Sequence, residues 1–156
     1  MTSDEKILNG LQAQCVRREY CTSDIYSKAL KRCGGDAGHA REIVESLRSD
    51  GFVDDARYAA AFAREKSSLT GWGPVKIRLA LAAKGLSRED IDAGLAETDA
   101  EAAADRLERL MRVRWKNLEG DAQARLKLIK YGLSRGYEYP EVESAVRKIT
   151  SKVTGT

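Results

Sequence analysis

The sequence contains few of the residues on which catalysis, metal binding and large hydrophobic cores depend. Its 156 residues include one histidine, three cysteines, two prolines and two phenylalanines, and aromatic residues make up 6% of the chain. A single histidine allows few arrangements for acid–base catalysis or metal binding, because imidazole serves both purposes in many enzymes. No glycine-rich loop ends in the lysine and hydroxyl residue that bind nucleotide phosphates. We therefore expect no enzymatic activity, no catalytic residue, no cofactor and no metal site.

The cysteines do not predict a disulfide framework, because they are odd in number and unevenly spaced. A zinc site made of Cys15, Cys21, Cys33 and His39 is the alternative. The ligands would be separated by five, eleven and five residues. Structural zinc sites usually hold pairs of ligands two to four residues apart. We therefore interpret the three cysteines as reduced, partly buried thiols.

Long hydrophobic runs are also missing, and no stretch of about 18 apolar residues exists that could span a membrane. The first six residues are polar and partly acidic, unlike the basic and then apolar start of a signal peptide. These features predict a cytoplasmic protein that does not bind membranes.

The residues that are abundant predict helices throughout. Helix starts are indicated by Asp36, Asp54, Pro74 and Pro140, by the segment 22–24, by a capping box from Thr98 to Glu101, and by Asp121. No window shows the alternation of a strand, so we predict an all-α fold. The helical patterns place several leucines on buried faces: Leu69, Leu107, Leu110, Leu118, Leu126 and Leu133.

A repeat of about 50 residues organises these helices. Gly34, Gly85 and Gly136, each predicted to end a helix, are 51 residues apart, and Ile77 precedes Leu128 by the same distance. One unit of this size has a marginal core, so neighbours must stack on it. We predict three tandem three-helix repeats in an elongated, curved stack. The repeats span residues 1–51, 52–97 and 98–156, and the third is basic.

Positive charge is concentrated in the last third of the chain. Residues 106–156 contain 12 basic and 6 acidic residues, whereas residues 50–105 contain 7 and 11. A basic segment attracts anionic partners over long range. The alternative is a lysine and arginine face that only contacts solvent.

Two helices joined at a glycine also resemble a helix-turn-helix, which suggests DNA binding as the alternative function. Leu81, Gly85 and Ile91 have the spacing of that motif. The candidate recognition helices begin with the carboxylates Glu89 and Asp90, and Glu141 has the corresponding position in the third repeat. Carboxylates there would repel DNA phosphates, so specific reading of the major groove is disfavoured.

The middle repeat carries a more specific signal. The string Gly51-Phe52-Val53-Asp54-Asp55-Ala56-Arg57-Tyr58-Ala59 precedes Phe62, Gly71-Trp72-Gly73-Pro74, Lys76-Ile77, Leu81, Lys84-Gly85 and Ile91. This ordered string resembles the signature of the RecX family. The flanking repeats match the family only in their helical pattern.

The resemblance implies three tandem three-helix repeats and a non-catalytic regulator of the RecA recombinase. RecX proteins bind RecA filaments on DNA and usually inhibit strand exchange, ATP hydrolysis and stimulated repressor cleavage. We accordingly expect the RecA filament as the partner, with single- or double-stranded DNA as a possible additional one, and we expect a monomer. We interpret Asp54, Asp55, Gly71, Trp72, Gly73, Pro74 and Gly85 as structural residues. The residues that we expect to contact the filament or its DNA are Arg64, Lys66, Lys76, Arg78, Lys84, Arg106, Arg109, Arg112, Lys116, Arg125, Lys127 and Lys130.

Overall fold

The computed structural model describes residues 2–154, with the side chains of residues 2–151. Within this part of the chain it contains nine α-helices and no strand, which confirms the predicted fold class. None of the described helices is both long and apolar enough to cross a membrane. The helices are α1 Ser3–Arg17, α2 Thr22–Arg32, α3 Ala37–Ser49, α4 Asp55–Leu69, α5 Pro74–Ala83, α6 Arg88–Leu95, α7 Ala100–Asn117, α8 Ala124–Ser134 and α9 Tyr139–Thr154.

Local chemistry explains most of the helix boundaries. Thr2 and Glu5 form a capping box at the start of α1, since each side chain accepts a hydrogen bond from the backbone N–H of the other residue. The Asp36 carboxylate accepts the His39 N–H at 3.1 Å before α3. Pro74 is the first residue of α5, where its missing N–H costs nothing.

The helix-ending glycines of the repeat adopt the same backbone conformation. Gly34, Gly85 and Gly136 have φ values of +64°, +84° and +94°. An L side chain rarely adopts this left-handed conformation, so glycine suits all three turns. The 51-residue spacing therefore marks three equivalent helix ends.

Three predicted helix starts were wrong in detail. The side chain that caps α7 is Asp99, which accepts the N–H groups of Glu101 and Ala102, and not Thr98. The residue at the N-cap of α2 is Cys21, which makes no side-chain capping bond. Helix α8 begins at Ala124 because Asp121 instead folds a turn by accepting the N–H of Gln123 at 2.8 Å.

The chain forms two compact units. Unit 1 comprises the chain up to Ala61 together with Leu81–Leu95, and unit 2 comprises Phe62–Ala80 and the chain from Ala96 onward. Helices α1 to α3 lie in unit 1 and helices α7 to α9 in unit 2, whereas α4 and α5 each contribute residues to both. The predicted repeat boundaries at residues 51/52 and 97/98 fall between helices.

Each unit has its own hydrophobic core. In unit 1, α1, α2 and α3 pack pairwise around Leu11, Ile25 and Leu47, whose exposure is 0%. In unit 2, α7, α8 and α9 pack pairwise around Leu107, Met111, Leu128, Val142 and Val146. Burial of each large aliphatic side chain stabilises its unit by about 1.5–3 kcal/mol before the entropy of folding is counted.

Several leucines predicted to be buried are not. Leu69, Leu126 and Leu133 are 78%, 47% and 41% exposed. On α8 the buried residues are instead Leu128 and Gly132. A side chain at Gly132 would meet the methyl groups of Val142 at 2.8 Å, so α9 approaches α8 on the glycine face and leaves the other leucines at the surface.

Candidate functional site

The signature loop, residues 70–73 between α4 and α5, packs against the turn between α8 and α9. The Gly73 N–H donates to the Arg135 carbonyl at 2.7 Å, and the Val75 N–H donates to the Gly136 carbonyl at 2.9 Å. The buried Tyr137 hydroxyl donates to the Gly71 carbonyl at 3.3 Å. The middle and third repeats are therefore joined within unit 2 by backbone hydrogen bonds.

Glycine is needed on both sides of this contact. A Cβ on Gly73 would lie 2.5 Å from the Gly136 carbonyl carbon, and a Cβ on Gly136 would lie 2.8 Å from the Lys76 backbone nitrogen. Both distances are too short for real Cβ atoms, and both obstacles are backbone. Gly73 of the signature string and Gly136 of the α8–α9 turn thus allow two backbone segments to approach closely.

Two cations of the middle repeat lie over the ring of Trp72. The Lys66 and Lys76 ammonium groups lie 4.9 Å and 4.7 Å from its ring centroid, within the range of cation–π attraction. Phe62 meets the indole edge-on, with the ring centroids 6.3 Å apart. Two of the predicted contact residues, Lys66 and Lys76, are thus placed on one half-buried tryptophan.

The other cations of the middle repeat are dispersed. Arg64 and Arg78 are exposed, and the Arg64 guanidinium lies 3.4 Å from the Glu97 carboxylate. The Lys84 ammonium belongs to unit 1, where it bonds the Asp24 carboxylate at 3.2 Å. Lys84 is therefore already engaged within the fold.

Helix α7 carries an arginine-lined groove. Its lining residues are Arg106, Arg109, Leu110, Val113, Arg114, Asn117 and, from α8, Tyr131, and its volume is ≈ 420 Å³. We call this cavity the arginine groove. It brings together two predicted contact residues, Arg106 and Arg109.

The three arginines of the groove differ in their surroundings. Arg114 lies over the Tyr131 ring, 5.8 Å from its centroid. Arg106 lies near the phenol of Tyr137, whose pKa is raised by burial, and the positive charge of Arg106 opposes that rise. Arg109 is exposed, and among the described residues it has no hydrogen-bond or ion-pair partner.

The remaining predicted cations lie outside the groove. Arg112 forms an ion pair with Glu108 at 3.1 Å, one turn earlier on α7, and Lys127 forms one with Asp121 at 2.6 Å. Exposed positions on α7 and α8 are occupied by Lys116, Arg125 and Lys130.

Comparison with known proteins shows which family has this architecture. The family model described as RecX, second three-helix domain, matches residues 54–95, which correspond to α4 to α6. The regulatory protein RecX of Xanthomonas axonopodis pv. citri (strain 306) is 31% identical over 132 residues, which cover 85% of this chain and 80% of that protein. The chain belongs to the RecX family.

Two solved RecX structures share the fold. The crystal structure of a regulatory protein RecX has a TM-score of 0.80 at 22% identity, covering 96% of this chain and 72% of the other. The crystal structure of RecX from Lactobacillus salivarius has a TM-score of 0.82 at 16% identity, covering 95% of this chain and 97% of the other. At these identities the likeness shows the fold alone.

The two aspartates of the RecX signature have different neighbours. Asp54 caps its own helix, α4, by accepting the Arg57 N–H at 3.0 Å. Asp55 instead accepts the backbone N–H of Thr22 at 2.8 Å and the Thr22 hydroxyl at 3.0 Å. It thereby caps α2, whose own N-cap residue makes no such bond. This contact spans 33 residues, and the sequence holds no local signal for it.

Sequence reasoning also missed Arg114 and Tyr131 in the arginine groove. The predicted stripe advances from Arg106 to Arg109 and Arg112 in steps of three, and it turns away from the groove because a helix repeats every 3.6 residues. Counting from Arg106 in steps of four, three and four reaches Leu110, Val113 and Asn117, which do line the groove. That register was available from the sequence.

Proposed function

We propose that the chain binds RecA filaments on DNA and lowers the recombinase, ATPase and co-protease activities of RecA. It does so in the cytoplasm as a monomer, without catalysis of its own. Membership of the RecX family supports the proposal, because the relatives are named regulatory proteins. The observation that supports a contact between unit 2 and the filament is charge. Unit 2 has 16 basic and 11 acidic residues, whereas unit 1 has 11 and 13.

The proposed contact surface lies on α7, α8 and the start of α5. Exposed cations attract an anionic partner and speed its encounter, and they contribute most where no internal carboxylate neutralises them. Among the described residues, no carboxylate forms an ion pair with Arg109 or Lys116 on α7, or with Arg125 or Lys130 on α8. Lys84, Arg112 and Lys127 each bond a carboxylate of the same chain, so their share in binding is smaller.

ATP hydrolysis by the host's RecA on single-stranded DNA tests the function. We expect the added chain to lower the steady-state rate in proportion to its concentration. Arg109→Glu should weaken this effect, because it reverses an exposed charge without breaking an ion pair. Lys148→Glu is the matched control, with the same charge change at an exposed position on α9. If the wild-type chain leaves the RecA ATPase unchanged, the proposed function is wrong.

Specific DNA binding is the alternative function, and the fold does not favour it. Exposed Glu89 and Glu141 lie in the first turns of α6 and α9, the helices that would enter the major groove. Protection of one duplex sequence at high salt, where nonspecific binding weakens, would support this alternative instead.

A further inference from the structure

The arginine groove differs in charge from two other cavities of the fold. Arg106, Arg109 and Arg114 line it, and no carboxylate of the described residues is part of its lining. A cavity of unit 1 combines Arg41 and Arg48 with three carboxylates, and a second cavity of unit 2 also contains three. The lining of the groove therefore favours an anionic group, whereas the charges of these two cavities are mixed.

Two of the residues that line the groove are aliphatic. Val113 is 64% exposed, and it lies one helical turn after Arg109 and directly before Arg114. Leu110 lines the same space. Apolar surface in contact with water is unfavourable, and a phosphate group cannot cover it. An aliphatic or aromatic side chain of a partner would cover it and gain the corresponding burial energy.

The aromatic ring of the groove is not presented as a platform for nucleic-acid bases. The Arg114 guanidinium already lies over the Tyr131 ring, 5.8 Å from its centroid. Base stacking, on which single-strand binding depends, requires an accessible ring face. A surface that combines arginines, aliphatic side chains and an aromatic residue is typical of protein interfaces.

We propose that the arginine groove binds an acidic peptide segment of a partner protein. One aliphatic side chain of the segment packs on Leu110 and Val113, and flanking carboxylates pair with Arg109 and Arg114. Arginine suits this role because its planar guanidinium binds a carboxylate through two hydrogen bonds. The inference rests on the proposed function only for the nature of the partner, a protein rather than DNA, and it adds the chemistry that the groove recognises.

Fluorescence anisotropy with the full chain tests the proposal. The probe is a short fluorescein-labelled peptide in which two leucines stand among aspartates and glutamates. The comparison probes are the same peptide with serine in place of both leucines and a labelled oligothymidylate. The variants are Arg109→Glu and Val113→Ser, with Lys148→Glu as the charge-matched control. Val113 and Arg109 are exposed, so neither change should disturb folding.

We expect the leucine peptide to bind and the serine peptide to bind about tenfold more weakly. Arg109→Glu should weaken binding of the leucine peptide roughly tenfold, and Lys148→Glu should change it little. Val113→Ser should weaken the leucine peptide about fivefold and leave the serine peptide unchanged. If Val113 contacts a leucine of the peptide, the effect of Val113→Ser must depend on whether that leucine is present.

Two results would overturn the inference. One is binding of the oligothymidylate that depends on Arg109 but not on Val113, while neither peptide binds, since the groove would then recognise phosphate. The other is binding of the leucine peptide with the same affinity by the wild-type chain, Arg109→Glu and Val113→Ser. If the chain inhibits the RecA ATPase in either case, the proposed function survives and only the groove assignment fails. If the peptide binds as expected and the RecA ATPase is unchanged, the groove assignment survives and the proposed function fails.

Discussion

A single methyl group added at Gly136 tests the contact between the signature loop and the α8–α9 turn. Gly136 has a φ of +94°, and a Cβ there would lie 2.8 Å from the Lys76 nitrogen and 3.1 Å from its Cα. Because these atoms are backbone, they cannot move aside as the end of a flexible side chain would. Gly136→Ala should therefore separate the two segments and destabilise unit 2.

Gly120 provides the matched control for the magnitude. It has a φ of +84°, lies between α7 and α8, and would place a Cβ within 4 Å of no other atom. In Gly120→Ala, the left-handed backbone of an L residue lowers the free energy of unfolding by about 1–2 kcal/mol. Up to about 1 kcal/mol of this loss is offset because alanine restricts the unfolded chain. Gly136→Ala has the same terms plus an overpacking cost of about 1–3 kcal/mol. The free energy of unfolding should therefore be lower in Gly136→Ala than in Gly120→Ala by that last amount.

Urea unfolding followed by tryptophan fluorescence measures this difference. Trp72 and Trp115 are the two tryptophans of the chain, and both lie in unit 2 with the substituted glycines. The denaturant midpoint of Gly136→Ala should fall below that of Gly120→Ala. Equal free energies of unfolding in the two variants would show that the loop and the turn do not make the close contact described above.

Two further predictions concern unit 1. Asp55→Ala should lower the free energy of unfolding by about 1–2 kcal/mol because Thr22 loses the acceptor of its N–H and hydroxyl, whereas Asp55→Asn, which keeps an oxygen, should lose less. Urea unfolding followed by circular dichroism compares them, and equal losses would contradict the capping role. Stability should also fall as the pH rises above 9.0, because burial raises the pKa of the Cys21 thiol above that ordinary value. The folded state keeps the proton longer than the unfolded state, so this stabilisation is complete below pH 9.0 and is lost as the pH rises through the raised pKa. Unfolding near pH 7 and near pH 10 measures the loss, and Cys21→Ala should show less of it. The same pH dependence in both proteins would rule out this thiol as a source.

Helix ends could be predicted from the sequence where their chemistry is local. Asp36 caps α3 through a bond to the third residue after it, and Gly34 ends α2 through its own backbone conformation. Neither depends on distant contacts. The prediction failed at α7, where Thr98 and Asp99 are adjacent and both can cap a helix, since only the backbone geometry decides between them. It failed at α2 because the capping carboxylate comes from a helix that begins 33 residues later.

The repeat spacing agrees with the buried face of α8 better than the hydrophobic pattern of that helix does. Leu126 and Leu133, seven residues apart, form the stripe expected of a buried face, yet they are 47% and 41% exposed. The 51-residue spacing instead pairs Leu128 with Ile77, and these residues are 0% and 2% exposed. The helix faces the core through Leu128 and Gly132, where the neighbouring helix comes close because a side chain is missing. A hydrophobic pattern counts side chains, so it cannot detect a contact made possible by the lack of one.

Net charge could indicate the basic end of the chain, but it could not identify the contact surface. Arg109 and Arg112 are equivalent in sequence, both arginines on α7 three residues apart. Glu108 lies one turn before Arg112 and pairs with it, whereas Asp105, one turn before Arg109, forms no ion pair with that arginine among the described residues. Lys84 is engaged by a carboxylate 60 residues away, a pairing that no local window contains. Reversing a paired cation breaks an internal bond as well as any external one, so loss of binding there is ambiguous. The surface is therefore best tested at Arg109, where a change of charge breaks no ion pair among the described residues.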